Sequence, residues 1–149
     1  MIRGLAILLA LPAAIVAGEA IAIADDGATI YKRCAACHLP NGAGVPGAFP
    51  PLKADAAALA RTPAGRRYLA LTVIRGVSGP ITVGGKPFRG TMPAQAGLND
   101  AEVAAALNHV LQESPVKPFS AGEIAGFRAG SAALNSAAVG RLRASAAAK

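Results

Sequence analysis

The chain has 149 residues, 53% of them hydrophobic, with a formal net charge of +7. That length holds one small domain plus an extension. With no Trp and only 4% aromatic residues, side chains alone would make a thin core, and a basic balance without interleaved aromatics argues against nucleic acid as partner.

Residues 1–24 read as a secretory signal peptide. Met1-Ile2-Arg3 is a short positive start, Leu5 to Ala17 an apolar run, and Ala22-Ile23-Ala24 an A-x-A cleavage site before Asp25. The competing reading is a retained membrane anchor. Pro12 interrupts the run and Glu19 stops it, short of the roughly 20 apolar residues a spanning helix needs. The expected mature chain is residues 25–149, exported, with no stable membrane span after cleavage. Arg3 and Glu19 cancel, so the mature chain keeps the whole +7. A basic chain of this kind is steered toward partners with an acidic docking surface.

Asp25 or Asp26 can cap a helix that runs through Ala28, Ile30 and Tyr31 into Cys34-Ala35-Ala36-Cys37-His38. C-x-x-C-H is the attachment pattern of a c-type haem. Two cysteines three residues apart lie on one side of a helical turn and can form thioethers to both vinyl groups of one porphyrin. The next residue then falls beneath the macrocycle, where its imidazole can bind the iron axially. These are the only two cysteines in the chain. A zinc site would need four ligands, and only His38 and His109 remain. A thioredoxin-like dithiol expects a βαβ setting, which the flanks do not show, and a disulfide across two residues is strained. Export fits too, because c-type haem is attached outside the bacterial cytoplasm. A buried porphyrin would also supply apolar surface, at about 25 cal/mol per Å² removed from water.

Leu39 to Leu52 holds too much Gly and Pro for a regular element. Thr62-Pro63 then caps and opens a second helix, with Leu69, Ala70, Val73 and Ile74 on its apolar face and Gly76 at its end. Ile81 to Phe88 alternates around Gly84-Gly85 as a small hairpin or turn-rich loop, leading into Gly90-Thr91-Met92-Pro93. Asn99 or Asp100 caps a third helix carrying Val103, Leu107, Val110 and Leu111, with Glu102 in its first turn. Up to Glu113 the order is helix, loop, helix, loop, helix.

The composition shifts at Ser114. Pro115 and Pro118 form a linker, Ser120-Ala121-Gly122-Glu123 matches a capping box before Ile124 and Phe127, and a last helix could carry Val139 and Leu142. Lys117, Arg128, Arg141, Arg143 and Lys149 face Glu123 alone, so this tail holds +4 of the charge. The expected division is 1–24 signal, 25–113 haem domain and 114–149 basic extension wrapped on the core.

An electron-transfer haem closes its sixth position, commonly with Met. Met92 is the one methionine left after the signal, in a loop where a turn can point it inward. The rival His109 sits beside Ala105 and Ala106, off the Val103–Leu107–Val110 face, which suits packing better. The axial His38 needs an acceptor for its other ring N–H, and Phe49-Pro50-Pro51-Leu52 offers a rigid carbonyl.

Residues 26–113 resemble a class I monohaem cytochrome c of bacterial periplasmic type. The matching pieces are Tyr31 to His38, Asn41-Gly42-Ala43-Gly44, Phe49 to Leu52, Thr91-Met92-Pro93 and the closing helix Asp100 to Leu111. The resemblance implies an all-α, cytochrome c-like fold around one covalent haem c, with first and last helices crossing. It implies His38 and Met92 as iron ligands, Cys34 and Cys37 as attachment points, and the Pro50 carbonyl as acceptor for His38. It puts His109 where an aromatic packs at the helix crossing. Gly79 to Met92 is similar to cytochrome domains serving periplasmic dehydrogenases. The expectation is therefore a periplasmic single-electron carrier acting on redox protein partners, not an enzyme. Alternatives are a cytochrome subunit of a multi-component dehydrogenase, docked by its basic tail, or an open-site haem sensor or peroxidase. The haem slot should be lined by residues such as Phe49, Leu52, Leu71, Ile74 and Phe88, with Cys34 and Cys37 on its edge and His109 outside.

Overall fold

Short polar side chains start most of the helices in the computed structural model, which describes residues 26–147. The signal peptide with its cleavage site, and the Asp25 cap, lie outside those residues. Asp26 accepts from the Ala28 N–H at 3.1 Å to open α1 (Gly27–His38). Thr62 accepts from the Gly65 N–H at 3.0 Å, with Pro63 first in α3 (Pro63–Arg75). Asn99 and Glu102 bond reciprocally to open α4 (Asp100–Leu111). Ser120 opens α5 (Ala121–Ala129) and Asn135 opens α6 (Ser136–Ala146). Each cap satisfies an N–H that the helix leaves unpaired.

One further helix, α2 (Lys53–Leu59), lies where no helix is legible in the sequence. Leu52 stands at its N-cap and gives no side-chain bond, so the usual start signal is missing. The capping box expected at Ser120 is half formed. Ser120 accepts from the Glu123 N–H at 3.2 Å, but the Glu123 carboxylate turns instead to Arg66, at 2.7 Å.

The extended segments are short. β2 (Ile81–Val83) and β3 (Lys86–Phe88) form the expected hairpin, pairing Ile81 with Phe88 and Val83 with Lys86. Gly84 and Gly85 have φ of 56° and 76°, the two positive values a tight right-twisted turn requires. β1 (Val77–Ser78) pairs antiparallel with β4 (Thr91–Met92) and matches Val77 to Met92. Met92 is thus held in a two-residue ladder rather than a free loop.

α1 and α4 cross at Gly27, where an added Cβ would stand 2.4 Å from the Ala105 carbonyl oxygen. The Tyr31 and His109 rings pack beside this crossing, 5.0 Å apart. The main core joins Ile30, Ala70, Ile74, Val103, Leu107 and Leu111 with Phe119 and Ile124 of the extension. A second cluster joins Leu59, Tyr68, Leu71 and Val77 to Val139 and Ala146 of α6. Ion pairs tie the extension down: Arg66–Glu123, Arg128–Asp100 and Arg143–Asp55. Arg66 also donates to the carbonyls of Lys117 and Pro118 and stacks 3.9 Å over the Phe119 ring. Among the described residues no helix is long and apolar enough to cross a membrane.

Candidate functional site

The C-x-x-C-H segment closes α1, and hydrogen bonds pin the chain that leaves it. Leu39 is the one described non-glycine residue with positive φ, at 65°, a conformation that needs its surroundings to hold it. Its N–H donates to Ala35 O at 3.0 Å, and its carbonyl accepts from the Tyr31 hydroxyl at 3.0 Å. The Gly44 N–H donates to His38 O at 3.0 Å. Gly44 has φ of 68°, and an added Cβ would lie 2.4 Å from the Phe49 carbonyl oxygen. Only glycine lets the loop fold back this tightly.

That fold-back places the Pro50 carbonyl 2.9 Å from His38 Nδ1. A carbonyl can only accept, so Nδ1 carries the proton and the free lone pair sits on Nε2. His38 is only 6% exposed. Cys34 and Cys37 are half-buried.

His38 and Met92 both line one cleft that opens to solvent. Cys37 lies on its wall, with Phe49, Leu52, Val83 and Phe88. Cys34 sits one turn back along α1, outside the lining. His109 is outside as well, against Tyr31. Two expected wall residues are elsewhere. Leu71 is fully buried under α6 and Ile74 belongs to the α1–α4 core. The α3 residues facing the cleft are Tyr68, Leu69 and Thr72. The 100° step per residue explains this, because α3 is covered on several sides and each apolar position meets a different neighbour. The pattern on α3 could have suggested Leu69 and Thr72, but not which face was which. The cleft also reaches Arg143 of α6 and Asp55 of α2, which sequence reasoning missed.

The residues present suit a haem. The wall is largely apolar, as a porphyrin needs, with an imidazole and a thioether as its soft donors. The hydroxyl of Thr72, on the same wall, is buried and has no hydrogen-bond partner among the described residues. Among the described residues no three His, Cys, Asp or Glu side chains gather to hold a bare metal ion.

Comparison with known proteins agrees. The family described as "Cytochrome c" matches residues 24–114. Cytochrome c-552 of Thermus thermophilus is 43% identical over 111 residues, covering 70% of this chain and 85% of that protein. A second cytochrome c-552, from a named strain of Thermus thermophilus, is 44% identical over 119 residues, covering 75% of this chain and 80% of that protein. The chain therefore belongs to the cytochrome c family: it carries one covalent c-type haem and transfers electrons rather than catalysing a substrate conversion.

Proposed function

We propose that the protein is a periplasmic single-electron carrier. Cys34 and Cys37 would hold the haem by thioethers, His38 and Met92 would ligate its iron, and the Pro50 carbonyl would fix the His38 ring. The observation that carries this reading is the pair His38 and Met92 on one cleft, with the His38 tautomer set by the 2.9 Å contact to Pro50. When bound, the haem iron takes up or gives up one electron between ferric and ferrous. The chain does the rest. Pro50 keeps the proton on His38 Nδ1, leaving Nε2 to donate. The β1–β4 ladder holds Met92 on the cleft, and its thioether favours the reduced form. Phe49, Leu52, Leu69 and Phe88 keep water out, which the potential requires. A filled sixth position disfavours the open-site sensor or peroxidase.

Residues 1–24 act in this reading as a cleaved export signal, 25–113 as the haem domain and 114–149 as its extension. Partner recognition rests on the basic surface. Lys32 and Arg33, next to the haem motif, and Lys86 and Arg89, on the hairpin side, are exposed and form no ion pair among the described residues. They suit an acidic partner. The dehydrogenase-subunit reading uses the tail as a docking arm, but Arg128 and Arg143 are already engaged by Asp100 and Asp55.

Acid–acetone extraction should leave the colour on the polypeptide, and ferric protein should show the near-infrared sulfur-to-iron band. Met92→Ala should abolish that band and lower the potential. An unchanged band would refute the ligand assignment. Reaction with an acidic partner should slow steeply with salt, as the Debye length shrinks from about 10 Å at 0.1 M to about 3 Å at 1 M. A flat response would assign recognition to the exposed apolar Leu39, Val45 and Phe49 instead.

A further inference from the structure

Arg143 lies on α6, beyond the family match that ends at residue 114, yet it lines the same cleft as His38 and Met92. It is 8% exposed. Its Nη1 donates to Asp55 Oδ2 at 3.0 Å and its Nη2 to Asp55 Oδ1, a two-point pairing. Nε donates to the Thr82 carbonyl at 2.8 Å, and the guanidinium stands 5.6 Å from the centre of the Tyr68 ring. Asp55 lines the cleft too. One half of the pair therefore comes from the family segment and the other from the extension.

A buried ion pair is weak grounds for stability, since an apolar pair of like volume often does as well. Its position points to another role. Most other wall residues are apolar, and in a water-poor cavity the effect of a fixed charge is large because the local dielectric is low. One-electron reduction changes the charge inside the cleft by one unit. A guanidinium on the wall favours the reduced form and a carboxylate favours the oxidised form.

We propose that Arg143 and Asp55 are a tuning pair that sets the reduction potential of the haem in this cleft, making α6 part of the redox site. The inference rests on the reading that the haem occupies the cleft. Arg143 and Asp55 bond to each other rather than serving as iron ligands, and they act through the field they impose.

The test is a spectroelectrochemical titration of the haem-loaded, full-length protein in four variants: Arg143→Met, Arg143→Lys, Asp55→Asn, and Arg143→Met with Asp55→Asn. Arg143→Met leaves the carboxylate unpaired and should shift the equilibrium with a fixed redox mediator about tenfold toward the oxidised form, 59 mV for one electron. Asp55→Asn leaves the guanidinium unpaired and should shift it toward the reduced form. Arg143→Lys should stay within about twofold of the wild type, and the double variant should return most of the way. A purely structural role would loosen the cleft and move both single variants in the same direction. That result, or no shift beyond about twofold in either, would overturn the proposal. If Arg143→Met does not mature, Asp55→Asn and Arg143→Lys decide between the same outcomes. Haem content of the wild type tests the underlying reading separately. Absence of covalent haem removes that reading, whereas haem present with unmoved potentials overturns the tuning pair alone.

Discussion

Replacing Ile124 by Ala removes the largest fully buried side chain that the extension drives into the core. Ile124 is 0% exposed and shares a cluster with Val103, Leu107 and Phe119. Truncating a buried Ile to Ala costs about 2–5 kcal/mol through lost transfer energy and the cavity left behind. Complete burial puts this site at or above the middle of that range, about 3–4 kcal/mol, a large share of the ~5–15 kcal/mol that holds a domain together. At about 3–4 °C per kcal/mol for a chain of this size, Tm should fall by about 10–15 °C. Thermal and urea unfolding of the haem-loaded protein measure it, with Ile124→Val as a control costing about 0.5–1.5 kcal/mol. The rate of electron exchange with a small neutral mediator should be unchanged, since Ile124 is not on the cleft wall. A Tm within about 2 °C of wild type would mean that the extension opens independently of the body, and the packing described above would be refuted.

Gly76→Ala should be severe, because Gly76 has φ of 74° and an added Cβ would lie 2.5 Å from Met92 O and 2.8 Å from Ala94 N; loss of about 1–3 kcal/mol and a weakened near-infrared band should appear together. Asn108 accepts from the Phe119 N–H at 2.7 Å and donates to its carbonyl at 2.9 Å, so Asn108→Ala should cost about 2–4 kcal/mol and speed exchange of the Phe119 amide; unaltered exchange there would count against it. Arg66 bonding, the largest cause, holds the Glu123 carboxyl below its usual value. The stability it adds is fully present above about pH 4.3, the usual glutamate value, and is lost as pH falls through the lower folded value. Glu123→Gln should therefore be destabilising by about 1.5–3 kcal/mol at pH 7 and converge with wild type in stronger acid; a gap independent of pH in urea titrations would exclude the ion pair as its source.

What the sequence determined by itself is whatever depends on neighbours along the chain. Cys34 to His38 states its chemistry within five residues. Thr62-Pro63, Asn99 with Glu102, and Gly84-Gly85 act through bonds or dihedrals two or three residues away, so their caps and turn could be read directly. The crossing of α1 on α4, with His109 packed on Tyr31, was also legible, though through resemblance rather than spacing.

Only the tertiary structure decided the rest. α2 has no cap to announce it and forms where Ala56 and Leu59 find a core to enter. Glu123 left its capping box because Arg66, 57 residues away in sequence, offered a charged partner. Leu71 and Ile74 belong to the helix foreseen, but which of its faces met the cleft depended on α6 covering one of them. Arg143 reaches the cleft through a carboxylate 88 positions earlier. A local pattern carries the energetics of one turn of chain, about one hydrogen bond or one dihedral. Burial and ion pairing depend on which surfaces meet, and that is settled only when the whole chain has folded.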